Sequence, residues 1–77
     1  MKSEWTLSEL AQETGLPART IRYYIARGLL AGPGVAGRGA VYGTEHLTRL
    51  REIQTLQGEG RMLAEIAAQL KEETDGN

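Results

Sequence analysis

Apolar residues in this 77-residue chain recur mostly at three- and four-residue intervals, the spacing of one helix face. Leu7, Leu10 and Ala11 form the first stripe. Thr6-Leu7-Ser8-Glu9 before it reads as a capping box, in which Thr6 and Glu9 each satisfy the other's backbone N–H. Trp5 and Leu10 then occupy the two positions of a hydrophobic staple, which makes Trp5 a core residue. Gly15 ends this helix. Pro17 suits the first position of a second helix, where its missing N–H costs nothing. That helix is predicted to run to about Arg27, with Gly28 stopping it. At about 100° per residue, Ile21, Tyr24 and Ile25 share one face. Arg19, Tyr23 and Ala26 point the opposite way, with Arg22 and Arg27 on the flanks.

Beyond Gly28 the pattern changes. Leu29 and Leu30 should pack back on the core, and a glycine-rich segment follows. Gly32, Gly34 and Gly37 spell G-x-G-x-x-G, but a dinucleotide fingerprint needs a strand before it and a helix opening on its last glycine. Here a helix precedes it and Pro33 interrupts it. The segment reads instead as a flexible hairpin with strands near Leu30-Ala31 and Ala40-Tyr42, and Arg38 as the only charge at its tip. A third helix is predicted from an N-cap at Thr44 to about Gln57. Its Leu47, Leu50, Ile53 and Leu56 recur every third residue, so the stripe drifts by about 60° per step. Such a helix packs on different elements at its two ends. Arg49 and Arg51 lie outside the stripe and suit surface pairs with Glu45 or Glu52, and His46 is expected to be an exposed polar residue. Gly58-Glu59-Gly60 breaks the chain before a fourth helix with the stripe Leu63, Ile66, Ala67 and Leu70. Met62 stands where a capping side chain would be expected, so the first turn is expected to fray. This gives one mainly α domain over residues 1–70 and a polar tail over 71–77, disordered at its end.

Composition narrows the chemistry. The chain has no cysteine and one histidine, which excludes disulfides, thiolate metal sites and Cys nucleophiles. It offers no Ser–His–carboxylate set and no metal-ligand cluster, so no enzyme, metal or cofactor is predicted. No run approaches transmembrane length and no signal peptide opens the chain, which fits a cytoplasmic protein. The net charge of −1 conceals a segregation. Residues 16–51 hold Arg19, Arg22, Arg27, Arg38, Arg49 and Arg51 against Glu45 alone, between two acidic ends. All the central cations are arginine, the side chain suited to bidentate phosphate and guanine contacts. Two short helices joined by a tight Gly-containing turn describe a helix-turn-helix. In that motif the N-terminal part of the second helix meets base edges in the major groove. Arg19, Thr20, Arg22 and Tyr23 occupy that part here.

The residues carrying this reading, Thr6-Leu7-Ser8-Glu9-Leu10-Ala11, Thr14-Gly15-Leu16, Arg19-Thr20-Ile21-Arg22-Tyr23-Tyr24 and Gly28-Leu29-Leu30, closely resemble the MerR family of bacterial transcription regulators. The likeness continues through Tyr42-Gly43-Thr44-Glu45-His46-Leu47 and on to Leu70. It implies a winged helix-turn-helix of four helices with a small two-stranded wing, binding double-stranded DNA. It further implies that Arg22 and Tyr23 contact phosphates, that Arg19 faces base edges with Thr20 close by, and that Arg38 is the basic residue of the wing. Tyr42 is implied to contact the DNA backbone or to seal the wing; the helical-wheel placement makes Tyr24 mostly structural, although some relatives use that position at the DNA. The wing departs from the family in being rich in glycine and poor in basic residues. Relatives bind palindromes as homodimers through a long helix that has no counterpart in these residues, so this chain alone is compatible with a monomer. RNA polymerase or a sigma factor is a second candidate partner. The alternative from another class is a small excisionase-like architectural or protein-interaction module on the same fold.

Overall fold

The computed structural model describes residues 2–36 and 39–75, with side chains described to Leu70 apart from that of Ala36. Four helices carry the chain: α1 (Leu7–Thr14), α2 (Ala18–Ala26), α3 (Thr44–Gly58) and α4 (Leu63–Asp75). Three short strands, β1 (Glu4–Trp5), β2 (Gly34–Ala36) and β3 (Gly39–Gly43), form one antiparallel sheet in the order β1-β3-β2. Trp5 pairs with Tyr42, and Val35 with Ala40. The fold is the mainly helical, winged helix-turn-helix architecture expected from the sequence. Among the described residues no helix is long and apolar enough to cross a membrane.

The capping box forms as read. Glu9 N–H donates to Thr6 Oγ1 at 3.1 Å, and Thr6 N–H donates to Glu9 Oε1 at 2.9 Å. Trp5 and Leu10 are both buried in the core, which also takes Ile21, Tyr24, Leu29, Leu30, Tyr42, Leu50, Ile53, Leu56, Ile66 and Leu70. The drifting stripe of α3 does serve several neighbours, since α3 meets α1, β3 and α4.

Several boundaries differ from expectation, each for a local reason. The wing strand does not lie at Leu30-Ala31. Gly28, at φ +80°, closes α2 in the left-handed region: its own N–H donates to Ile25 O and the Leu29 N–H donates to Tyr24 O. This closure turns Leu29 and Leu30 into the core, at 3% and 5% exposure. Leucines held there cannot pair along the wing, and the strand starts only after Pro33. The third strand, β1, is two residues long and carries no alternation that a sequence could display. Pro17 is the N-cap of α2 and not its first helical residue; Gly43, not Thr44, caps α3. At α4 the missing cap is replaced by Glu65, whose Oε1 accepts the Met62 N–H at 3.0 Å. The α4 backbone continues through Asp75, so the polar segment from Lys71 begins as helix. Residues 76–77 lie outside the described residues.

His46 also departs from expectation. It is buried, at 7% exposure, with its ring edge-on to that of Tyr42, and it supplies the acceptor half of a capping box at the start of α3. Its Nδ1 accepts the Gly43 N–H at 3.0 Å.

Two outcomes follow from these local structures. Gly28→Ala meets open space but must hold a positive φ, so it should lower stability by about 1–2 kcal/mol. Gly58→Ala, at the last residue of α3 with nothing near its added Cβ, should raise stability by a few tenths of a kcal/mol to about 1 kcal/mol. Chemical denaturation of both variants reads the opposite signs. Glu9 supplies a pH test. The Lys2 ammonium bonded to its carboxylate, and then the Thr6 N–H, hold its pKa below the ordinary glutamate value. A depressed folded pKa contributes stability that is complete above the unfolded value and disappears as pH falls through the folded one. NMR titration should therefore show the Glu9 carboxyl protonating at lower pH than in an unstructured peptide. Lys2→Ala should move that midpoint upward.

Candidate nucleic-acid interface

The two faces of α2 are physically distinct. Ile21 is fully buried and Tyr24 is 4% exposed, whereas Arg19, Arg22 and Arg27 are exposed and Tyr23 is 48% exposed. Thr20 is half-buried at the margin between them. Among the described residues none of the three arginines forms an ion pair, in contrast to Arg49 with Glu52 and Arg61 with Glu59. The guanidinium carbon of Arg27 lies 5.9 Å from the centre of the Tyr23 ring, a cation–π distance that biases both exposed side chains toward one arrangement. At the start of α2, Pro17 provides no side-chain cap. The orphan N–H groups of the first turn, next to Arg19, therefore add partial positive charge to the same end.

What fixes this helix is a set of polar ties from α3. Tyr24 Oη donates to Gln57 Oε1 at 3.2 Å, joining the buried side of α2 to the end of α3. Gln54 Nε2 donates to the carbonyl of Thr14 at 2.8 Å, at the point where α1 turns toward α2. Thr14 itself donates to Leu10 O at 2.9 Å and accepts the Leu16 N–H at 3.3 Å, so one hydroxyl organises the turn. Gln54 and Gln57 were not singled out by the sequence, and Thr14 only as part of the Thr14-Gly15-Leu16 motif. Thr14 carries the local signal of a hydroxyl two residues before an unpaired N–H. Gln54 and Gln57 carry only their place beside the buried Ile53 and Leu56.

The sequence-predicted site residues are therefore distributed unequally. Arg19, Thr20, Arg22 and Tyr23 sit together on α2. Tyr42 is 4% exposed, paired to Trp5 across the sheet and edge-on to His46, with ring centres 5.2 Å apart. Its ring belongs to the core at the base of the wing. Arg38 lies outside the described residues. On the wing itself Val35 is 88% exposed. An array of unpaired guanidinium groups, a phenol and helix N–H groups can hold phosphate oxygens and donate to base edges. Among the described residues no group of three or more His, Cys, Asp or Glu could hold a metal ion.

Comparison with known proteins follows the same direction. The family described as MerR HTH family regulatory protein matches residues 5–73. The HTH-type transcriptional activator SoxR homolog of Chromobacterium violaceum is 36% identical over 69 residues, covering 90% of this chain and 47% of that protein. Among solved structures, HiNmlR, a MerR family regulator lacking the sensor domain and bound to promoter DNA, superposes with a TM-score of 0.83 at 27% identity. That match covers 96% of this chain and 57% of the other. The lead(II) complex of the transcription regulator PbrR691 from Ralstonia metallidurans also gives 0.83 at 27% identity, over 95% of this chain and 58% of its own. The chain thus spans about half the length of the relatives it matches.

The tie between α2 and α3 is open to a direct test. Tyr24→Phe removes one partly buried hydrogen bond and leaves the ring in place, so it should cost about 1 kcal/mol. Urea denaturation measures this, and an unchanged midpoint would show that the bond contributes nothing net.

Proposed function

The chain belongs to the MerR HTH family of regulatory proteins, and from that membership we propose that it binds double-stranded DNA sequence-specifically through α2. The observation that carries this reading is the face of α2 on which Arg19, Arg22 and Tyr23 stand exposed over a buried Ile21 and Tyr24. In this reading α2 lies in the major groove. Arg19, with Thr20 beside it, faces base edges. Arg22 and Tyr23 hold the phosphates that set the register of the helix, Tyr23 through its hydroxyl. The wing and its Arg38 lie against the backbone or the minor groove. Tyr42 seals the base of the wing, which its burial favours over a direct contact.

Electrostatics supports the reading through distribution, since the protein as a whole is slightly acidic. A basic central segment flanked by acidic ends orients the domain toward a polyanion and repels it from other approaches. The affinity should then depend strongly on salt. About four phosphate contacts give a slope of log K against log salt near −4.

The experiment is a fluorescence anisotropy titration against random duplexes and against a duplex that the wild-type chain selects from a randomised pool, at several salt concentrations. Arg22→Ala should weaken binding to every duplex alike and reduce the salt slope by about 1. Arg19→Ala should instead lose about 1–3 kcal/mol of discrimination between selected and random duplexes. Equal wild-type affinity for selected and random duplexes would refute sequence-specific recognition.

A further inference from the structure

The wing has little packing of its own to hold it. Val35 is exposed, as are Gly34, Gly39 and Ala40. Beyond Tyr42, where β1 no longer pairs with β3, the wing is two-stranded, and isolated two-stranded hairpins are at best marginally stable in water. Its direction must therefore be set at its root. One end of the root is Gly43, where β3 runs into α3 beside β1. The other is Gly32, where the chain leaves the buried Leu30 for the wing. A single side chain holds both. His46 Nδ1 accepts the Gly43 N–H at 3.0 Å, and Nε2 lies 3.0 Å from the Gly32 carbonyl oxygen. A backbone N–H can only donate and a carbonyl can only accept. The ring must therefore be bare at Nδ1 and carry its proton on Nε2, and one tautomer makes both bonds. The edge contact with Tyr42 fixes the ring plane.

Capping α3 does not require an imidazole. A Glu or Gln three residues after the cap can accept the same N–H. The bond to Gly32 is what the second nitrogen adds. From Gly32 a continuous path of contacts runs through His46 to α3, and from Gln57 of α3 to Tyr24 of α2. We infer that His46 is a positioning residue that sets the direction of the wing relative to α2, and so controls how the wing contributes to DNA recognition. The inference rests on the DNA-binding reading for its consequence, although the tie can be tested without DNA.

Two substitutions separate the bonds. His46→Asn keeps an amide oxygen near the Nδ1 position to cap α3 but is too short to reach Gly32. His46→Gln is long enough to carry both an acceptor and a donor. Without DNA, nitrogen shifts of the wild-type ring should report the Nε2–H tautomer. Amide hydrogen exchange in the Asn variant should accelerate in β2 and β3 while α1 and α2 keep their protection. With the selected duplex, the Asn variant should lose about tenfold in affinity, the scale of one hydrogen bond. It should also lose hydroxyl-radical protection at the flank of the site, while the central protection stays. The Gln variant should restore both. Wild-type wing protection in the Asn variant, loss of protection throughout the domain, or failure of Gln to rescue would each overturn the inference. A wild-type chain that selects no sequence would refute the DNA-binding reading instead, and the exchange data would still decide whether His46 holds the wing.

Discussion

Helix α3 is the post on which the molecule is assembled. Leu50 and Ile53 are fully buried and Leu56 joins them in the core, and α3 meets α1, β3 and α4. Burial of this kind contributes roughly 1.5–3 kcal/mol per large side chain, but it is non-directional and fixes no orientation by itself. The orientation comes from polar groups at the margin of the same stripe. His46 reaches the wing root, Gln54 the end of α1, and Gln57 the buried tyrosine of α2. Each tie is worth about 1 kcal/mol net. Their value lies in direction, since together they relate every element of the proposed DNA-binding surface to one rigid helix.

That arrangement explains how so small a domain can offer a defined surface. A chain of 77 residues buries a modest core, and such cores are marginal. Closure of α2 by Gly28 and of α3 by Gly60, each at positive φ, keeps the helices short and turns the following residues back toward the core. Beyond Gly60 the Arg61 N–H returns to Leu56 O, as the Leu29 N–H returns to Tyr24 O after Gly28. The result places α2 with one face committed to packing and the other free to hold charge. The exposed arginines gain little from neighbours within the chain, which is the condition under which a phosphate competes well for them.

Helix α2 and the wing differ in what they expose. In α2 Arg19, Arg22 and Tyr23 are exposed and Thr20 is half-buried. In the wing, Tyr42 is absorbed into the core, and Val35 of β2 is apolar and exposed.

The sequence by itself determined the elements whose causes are local. The Thr6–Glu9 box, the glycine after α2, the apolar face of Ile21 and Tyr24 and the existence of four helices all rest on residues within four positions of one another. Backbone hydrogen bonding and helix periodicity act at that range. The strand at Glu4–Trp5, the burial of His46 and the ties of Gln54 and Gln57 were decided only by tertiary structure. Each depends on a partner 14 to 40 positions away, brought close when Leu29 and Leu30 fold back and β1 meets β3. A histidine near a helix start looks the same in sequence whether it faces water or a carbonyl 14 residues earlier. Only the packed core decides which, because only packing removes the water that would otherwise take that bond.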